Sequence, residues 1–139
     1  MSTLRVIENK ISYIEKQLSI AQKYQHYSLE ELQKDDTVRG AVERELYVIA
    51  QACIDLAEAL VAFRRLRKPT TLREAFEILG ENNILPSEFV GKFRGIAGFR
   101  NALAHDYEDL KLEVVYDVLQ RKLSEVEEFL RYIKQALNT

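Results

Sequence analysis

Apolar residues recur at alternating steps of three and four along most of the chain, the spacing that gathers them on one face of an α-helix. Leu4, Ile7, Ile11, Ile14, Leu18 and Ala21 form the first such seam, with Glu8, Lys10, Glu15, Lys16 and Gln22 on the other faces. A longer seam runs through Val42, Leu46, Ile49, Cys53, Leu56, Leu60 and Phe63, and predicts a central packing helix. The last runs from Leu112 through Tyr116, Leu119, Leu123, Val126, Leu130 and Ile133 to Leu137. Between them, Phe89, Phe93, Ile96 and Leu103 make a shorter stripe. No strand-like alternation, internal repeat or low-complexity tract interrupts these patterns. The expectation is an all-α, up-and-down helical bundle of three long helices, one medium one and two short ones.

Polar punctuation sets the expected helix ends. Ser28 with Glu31, and Thr71 with Glu74, have capping-box spacing and each opens a short helix. The first of these stops by Asp35-Asp36, and Asp36 or Thr37 is placed to cap the next. The central helix is expected to end in Arg64-Arg65-Leu66-Arg67-Lys68-Pro69, where cations complement the macrodipole and Pro69 stops the helix. That run can equally be a patch that contacts phosphate. Gly80 reads as a C-terminal glycine, and Leu85-Pro86 starts the medium helix. Along that helix Gly91, Gly95, Gly98 and Ala102 form a stripe of small residues at steps of four, three and four. Glycine inside a helix costs about 1 kcal/mol relative to alanine. The expected offset is close approach of another helix or a ligand, and His105 continues the stripe.

Composition narrows the function classes. A chain of 139 residues makes one domain, spanning 1–139, and needs neither disulfide nor metal to fold. Twenty basic against 22 acidic residues give a net charge of −2, which does not suit bulk attraction to nucleic acid but leaves room for a local basic patch. No uninterrupted apolar run approaches a membrane span, and Met1-Ser2-Thr3-Leu4-Arg5 lacks signal-peptide character. The lone Cys53 sits on a seam as a small buried hydrophobe. These features fit a reducing cytoplasm. Two separated histidines argue against His-rich metal binding, so chemistry is expected to be metal-free or to use a metal held by carboxylates alone. Asp55 and Glu58 lie off the central seam, on a solvated face or lining a groove. His26 is expected to decorate the end of the first helix.

One segment concentrates the reactive side chains: Arg100-Asn101-Ala102-Leu103-Ala104-His105-Asp106-Tyr107. Imidazole can take and return a proton near neutral pH. A guanidinium can neutralise a phosphate or a developing phosphorane. Together these are what RNA cleavage by its own 2′-hydroxyl requires, with Asp106 placed to orient the imidazole. Five residues along a helix turn about 140°, so Arg100 and His105 do not share a face by spacing. Their convergence is expected to need a loosened helix end, a wrapped arginine or a second subunit. Catalysis, a nucleotide-phosphate site and a histidine that merely ends the helix all remain open on these residues alone.

The segment from Gly95 to Tyr107 resembles the Arg-x4-His-x-Tyr signature of the HEPN superfamily, specifically its HepT-like toxins. Ala41-Val42-Glu43-Arg44, Ala52-Cys53-Ile54-Asp55-Leu56-Ala57, the Leu85-Pro86 helix start and the long final helix extend the resemblance over most of the chain. It implies a homodimeric, metal-independent endoribonuclease of a toxin–antitoxin pair, acting on tRNA or mRNA and using no cofactor of its own. Arg100 and His105 then map onto the catalytic residues, with Asn101 at the polar position after the arginine. Tyr107 maps onto the tyrosine that an MntA-type nucleotidyltransferase antitoxin modifies with AMP from ATP. Bulk and negative charge so close to His105 would exclude RNA phosphate. Arg64, Arg65, Lys92 and Arg94 are candidate RNA contacts along a dimer cleft near the small-residue stripe. The alternative is a non-catalytic helical dimer that binds a nucleotidyltransferase partner or a nucleotide.

Overall fold

A computed structural model describes residues 3–105 and 110–138. Among them there are helices and no strands: α1 Leu4–Gln22, α2 Leu29–Lys34, α3 Asp36–Phe63, α4 Leu72–Glu81, α5 Ser87–Phe93, α6 Ile96–His105, α7 Leu112–Asp117 and α8 Leu123–Leu137. A π-helical segment, Val118–Lys122, joins α7 to α8 without a break, so the two act as one long final helix. The expected all-α bundle is therefore present, with one refinement. The medium helix is two, α5 and α6, separated by a corner at Arg94–Gly95.

α3 is the axis of the bundle. Its seam residues Val42, Leu46, Ile49, Cys53, Leu56 and Leu60 are buried, and so is a second row made by Ala50, Ile54, Ala57 and Val61. Residues on both rows meet partners because α1, α4 and α6 all pack against it. Helix Asp36–Phe63 contains a stretch with mean hydropathy 1.7, long and apolar enough to cross a membrane by length and composition. A search for uninterrupted apolar runs overlooks it. Its burial on two sides accounts for that apolarity as core packing. α1 lays Ile7, Ile11, Ile14, Leu18 and Ala21 on α3, while its outermost seam residue, Leu4, stays exposed.

The other end of the core is aromatic. Phe76 of α4 meets Phe93 of α5 and Phe129 of α8 edge-on, with centroids 5.5 and 5.7 Å apart, and Phe93 stacks on Phe129 at 4.9 Å. Burying each such ring contributes roughly 1.5–3 kcal/mol. This cluster fixes the α4–α5 unit, and hence the start of α6, against the final helix.

Several helix ends differ from expectation, each for a local reason. Asp35, not Asp36 or Thr37, caps α3 by accepting from the amides of Thr37 and Val38. The Ser28–Glu31 capping box forms in full. Thr71 accepts from the Glu74 amide, but the Glu74 carboxylate turns instead to Arg67 and Thr70. α3 ends at Phe63, ahead of Pro69, because Arg65 adopts a left-handed conformation (φ 55°). Leu66 and Arg65 then donate to the carbonyls of Val61 and Ala62, the Schellman pattern. α4 ends the same way, with Asn83 (φ 60°) as the left-handed residue. Gly80 lies inside that helix and does another job. A Cβ there would come within 2.8 Å of Val90 Cγ2, so glycine is what lets α5 sit against α4.

The π segment has a visible cause. Gln25, just beyond α1, donates from its side chain to the Leu119 carbonyl at 2.9 Å, and Gln120 donates back to the Gln25 carbonyl at 2.8 Å. An outside donor on a helix carbonyl is a recognised reason for a local departure from α geometry.

Candidate active site

Arg100, partly buried in the middle of α6, is directed onto α3. Its Nε donates to Gln51 Oε1 at 2.6 Å, Nη1 to Asn101 Oδ1 at 3.0 Å and Nη2 to the Tyr47 hydroxyl at 3.3 Å. The guanidinium also lies 5.4 Å from the centroid of the Tyr47 ring. Gln51 is held in turn, since its Nε2 donates to Asp55 Oδ1 at 2.9 Å. With the amide nitrogen committed to Asp55, the amide oxygen faces Arg100. All three oxygens that Arg100 binds belong to neutral groups, and the carboxylate stands one residue further away. The arginine is thus oriented while its charge stays available to an anion.

α6 continues unbroken to His105, so the helix does not loosen between the two residues. The five-residue step turns them apart by about 140°. His105 is exposed at the helix end and has no hydrogen-bond partner among the described residues. Asn101 is exposed beside Arg100 and holds it. Asp106 and Tyr107 lie outside the described residues.

The four candidate RNA contacts are dispersed. Arg64 donates to the Ala136 carbonyl at 2.6 Å, tying the end of α3 to the last turn of α8. Arg65 is the left-handed residue of the Schellman turn. Thirteen helical residues separate Gln51 from Arg64, about 20 Å at 1.5 Å per residue, so that pair belongs to the far end of α3. Lys92 is paired with Glu128 at 3.1 Å and lies over the Phe89 ring. Arg94 is exposed at the α5–α6 corner.

The corner at Arg94–Gly95 divides the small-residue stripe between two helices, and among the described residues its glycines are not closely approached. A Cβ on Gly91 or Gly98 would meet nothing within 4 Å, and one on Gly95 only the Lys92 carbonyl at 3.9 Å. The close approach expected of another helix is therefore not made at Gly91 or Gly98 by the described residues. A groove of about 450 Å³ opens between α3, the α5–α6 corner and the final helix, and is lined by neither Arg100 nor His105. Cys53 is buried, which pushes its thiol well above the ordinary range and makes it no nucleophile. His26 binds the Lys23 carbonyl at 2.8 Å and stacks near Tyr27, as a helix-end residue does.

Tyr47 and Gln51 were not singled out by sequence reasoning. Arg44, Tyr47, Gln51 and Asp55 step by three, four and four along the side of α3 away from its apolar seam. That polar row is the available signal, and only Asp55 was noted as a possible groove residue.

Residues 14–133 match the family of ribonuclease HepT-like proteins. The chain belongs to this family. It is 32% identical over 130 residues to the mRNA nuclease HepT of Shewanella oneidensis, covering 93% of this chain and 96% of that one. It is 28% identical over 134 residues to the tRNA nuclease HepT of Aphanizomenon flos-aquae, covering 96% of this chain and 91% of the relative. Among solved structures, a tri-AMPylated Shewanella oneidensis HEPN toxin in complex with MNT antitoxin superposes with a TM-score of 0.86 at 28% identity, covering 96% of this chain and 99% of that one. This HepT-like chain is a ribonuclease with the HEPN fold.

Proposed function

We propose that this HepT-like chain is the toxin of a toxin–antitoxin pair, a metal-independent endoribonuclease that cuts mRNA or tRNA with Arg100 and His105. The observation that carries the site is an arginine fixed by neutral oxygens on the same helix as an exposed histidine. His105 takes the proton of a ribose 2′-hydroxyl, whose oxygen attacks the adjacent phosphorus to form a 2′,3′-cyclic phosphate as the P–O5′ bond breaks and the leaving 5′-oxygen takes up a proton from water. Arg100 offsets the charge that grows on the phosphoryl oxygens. Asn101 keeps its Oδ1 on Arg100.

A single chain turns the two groups apart, so the working site is proposed to form in a homodimer, with two sites facing each other across a cleft. The AMPylated relative bound to MNT antitoxin supports neutralisation by an MntA-type nucleotidyltransferase that uses ATP as its co-substrate. Tyr107, two residues beyond His105, is the proposed acceptor. AMP groups there would place bulk and negative charge where RNA phosphate must sit.

The test is cleavage of purified tRNA and mRNA in EDTA. The parent chain cuts, and His105→Ala and Arg100→Ala each lose at least a hundredfold in rate. A His105→Ala protein that cuts as fast as the parent overturns the mechanism. Incubation with the nucleotidyltransferase and ATP silences the parent but not Tyr107→Phe, read by mass spectrometry and by RNA cleavage.

A further inference from the structure

A second cation stands beside Arg100. Arg44, exposed on α3, lies with its guanidinium carbon 5.6 Å from the centroid of the same Tyr47 ring that Arg100 approaches at 5.4 Å, so the two are at most about 11 Å apart. Cation–π attraction to one ring holds both near it. Neither guanidinium has an ion pair among the described residues. Glu43, the acid among the groove's lining residues, is engaged by Arg39 at 3.3 Å. Glu45, next along the chain, is buried, which raises its carboxyl above the usual glutamate range, and the charge of Arg44 opposes that rise without forming an ion pair.

The ring and Arg44 line a groove of about 390 Å³ whose other walls are Glu43, Leu103 and Ala104. Ala104 directly precedes His105, so the groove runs up to the proposed site along α6. Two cations without an ion pair among the described residues, an aromatic ring and an apolar wall suit a phosphodiester together with part of its nucleoside.

Resting on the ribonuclease reading above, we infer that this groove is an RNA subsite in which Arg44 grips a phosphate neighbouring the one that is cut. Arg100 serves the scissile phosphate and Arg44 the next one along the strand, with the Tyr47 ring as their common support. An arginine suits this position because its planar fork can bind two phosphate oxygens at once.

The experiment measures binding of a 2′-O-methyl RNA, which lacks the attacking hydroxyl, to unmodified protein over a range of KCl concentrations. Removing one phosphate contact to single-stranded RNA lowers the slope of log affinity against log salt by about 0.7. Arg44→Gln is expected to lose that much slope and to bind several-fold more weakly at low salt. Arg44→Lys keeps the slope, and circular dichroism melting shows both variants folded. An unchanged slope with Arg44→Gln overturns the inference, as does a loss of affinity that is the same at every salt. So does a variant that binds RNA like the parent but binds the nucleotidyltransferase less well, which would make the face a protein-docking surface. Failure of the ribonuclease reading itself shows separately, as a parent chain that does not cut unmodified RNA.

Discussion

A guanidinium paired with a carboxylate presents little net charge to a substrate, whereas one held by amide and phenol oxygens presents nearly all of it. Arg100 is of the second kind, with Asp55 acting only through Gln51. Swapping the two groups tests what the arrangement is for. Gln51→Glu combined with Asp55→Asn keeps both hydrogen bonds but puts a carboxylate directly on Arg100. The double variant is expected to lose at least about tenfold in kcat, near 1.4 kcal/mol of barrier, with its melting temperature within a few degrees of the parent. A purely structural bridge between α3 and α6 would leave kcat alone. Arg100, Asn101 and His105 stood out in the sequence because they crowd into six positions. Gln51 and Tyr47 did not, since they come from 49 and 53 residues away and look like ordinary polar positions until α6 is laid on α3.

At the scale of elements, the apolar seams were legible because they depend on local periodicity, and those on α1, α3 and the final helix form much as read. Helix ends were less so. Gly80 has the spacing of a terminator, yet its role is set by Val90 ten residues on, which no local pattern reveals. Gly80→Ala is expected to destabilise by about 1 kcal/mol, the overpacking cost of 1–3 kcal/mol exceeding the gain of about 1 kcal/mol in helix propensity. Val90→Ala in the same chain should remove most of that penalty, and denaturant melts of the four proteins measure it. The π segment was equally invisible, because its cause is the side chain of Gln25 reaching across from α1.

The connection after α3 is tied down by charge. Arg67 donates to Glu81 through two nitrogens at 3.0 and 2.7 Å and to Glu74 at 2.7 Å. Hydrogen bonds from Arg67 hold both carboxyls below the usual glutamate range. A depressed folded value means stabilisation that is present above the ordinary glutamate pKa and lost as pH falls through the depressed one. The parent should therefore lose melting temperature on acidification from about pH 5 to pH 3 more steeply than Arg67→Met. Parallel acid limbs in the two proteins would mean the exposed network adds nothing, as many surface pairs do.

For the whole molecule, a net charge of −2 and a nuclease function are compatible because the cations that matter are placed rather than numerous. Arg44 and Arg100 share one ring, while Arg64 and Arg65 close a helix at the other end of α3. The glycines of α5 and α6 bear on the proposed dimer. Among the described residues, nothing beyond the glycine's own stretch of helix lies within 4 Å of a Cβ added at Gly98. In an isolated chain, then, Gly98→Ala should gain about 1 kcal/mol from helix propensity, and even Gly98→Leu should fold without strain. A second copy packed on that face, as the proposed dimer requires, reverses the expectation for the larger residue. Gly98→Leu should then raise the dimer dissociation constant at least tenfold, seen by sedimentation at graded concentrations, while the helical content of the separated chains is unchanged. RNA cleavage should fall in proportion to the dimer remaining and recover at high protein concentration. A Gly98→Leu protein that dimerises and cuts like the parent would move the dimer contact off this face and leave the helix-propensity cost of Gly98 in α6 without a partner to offset it.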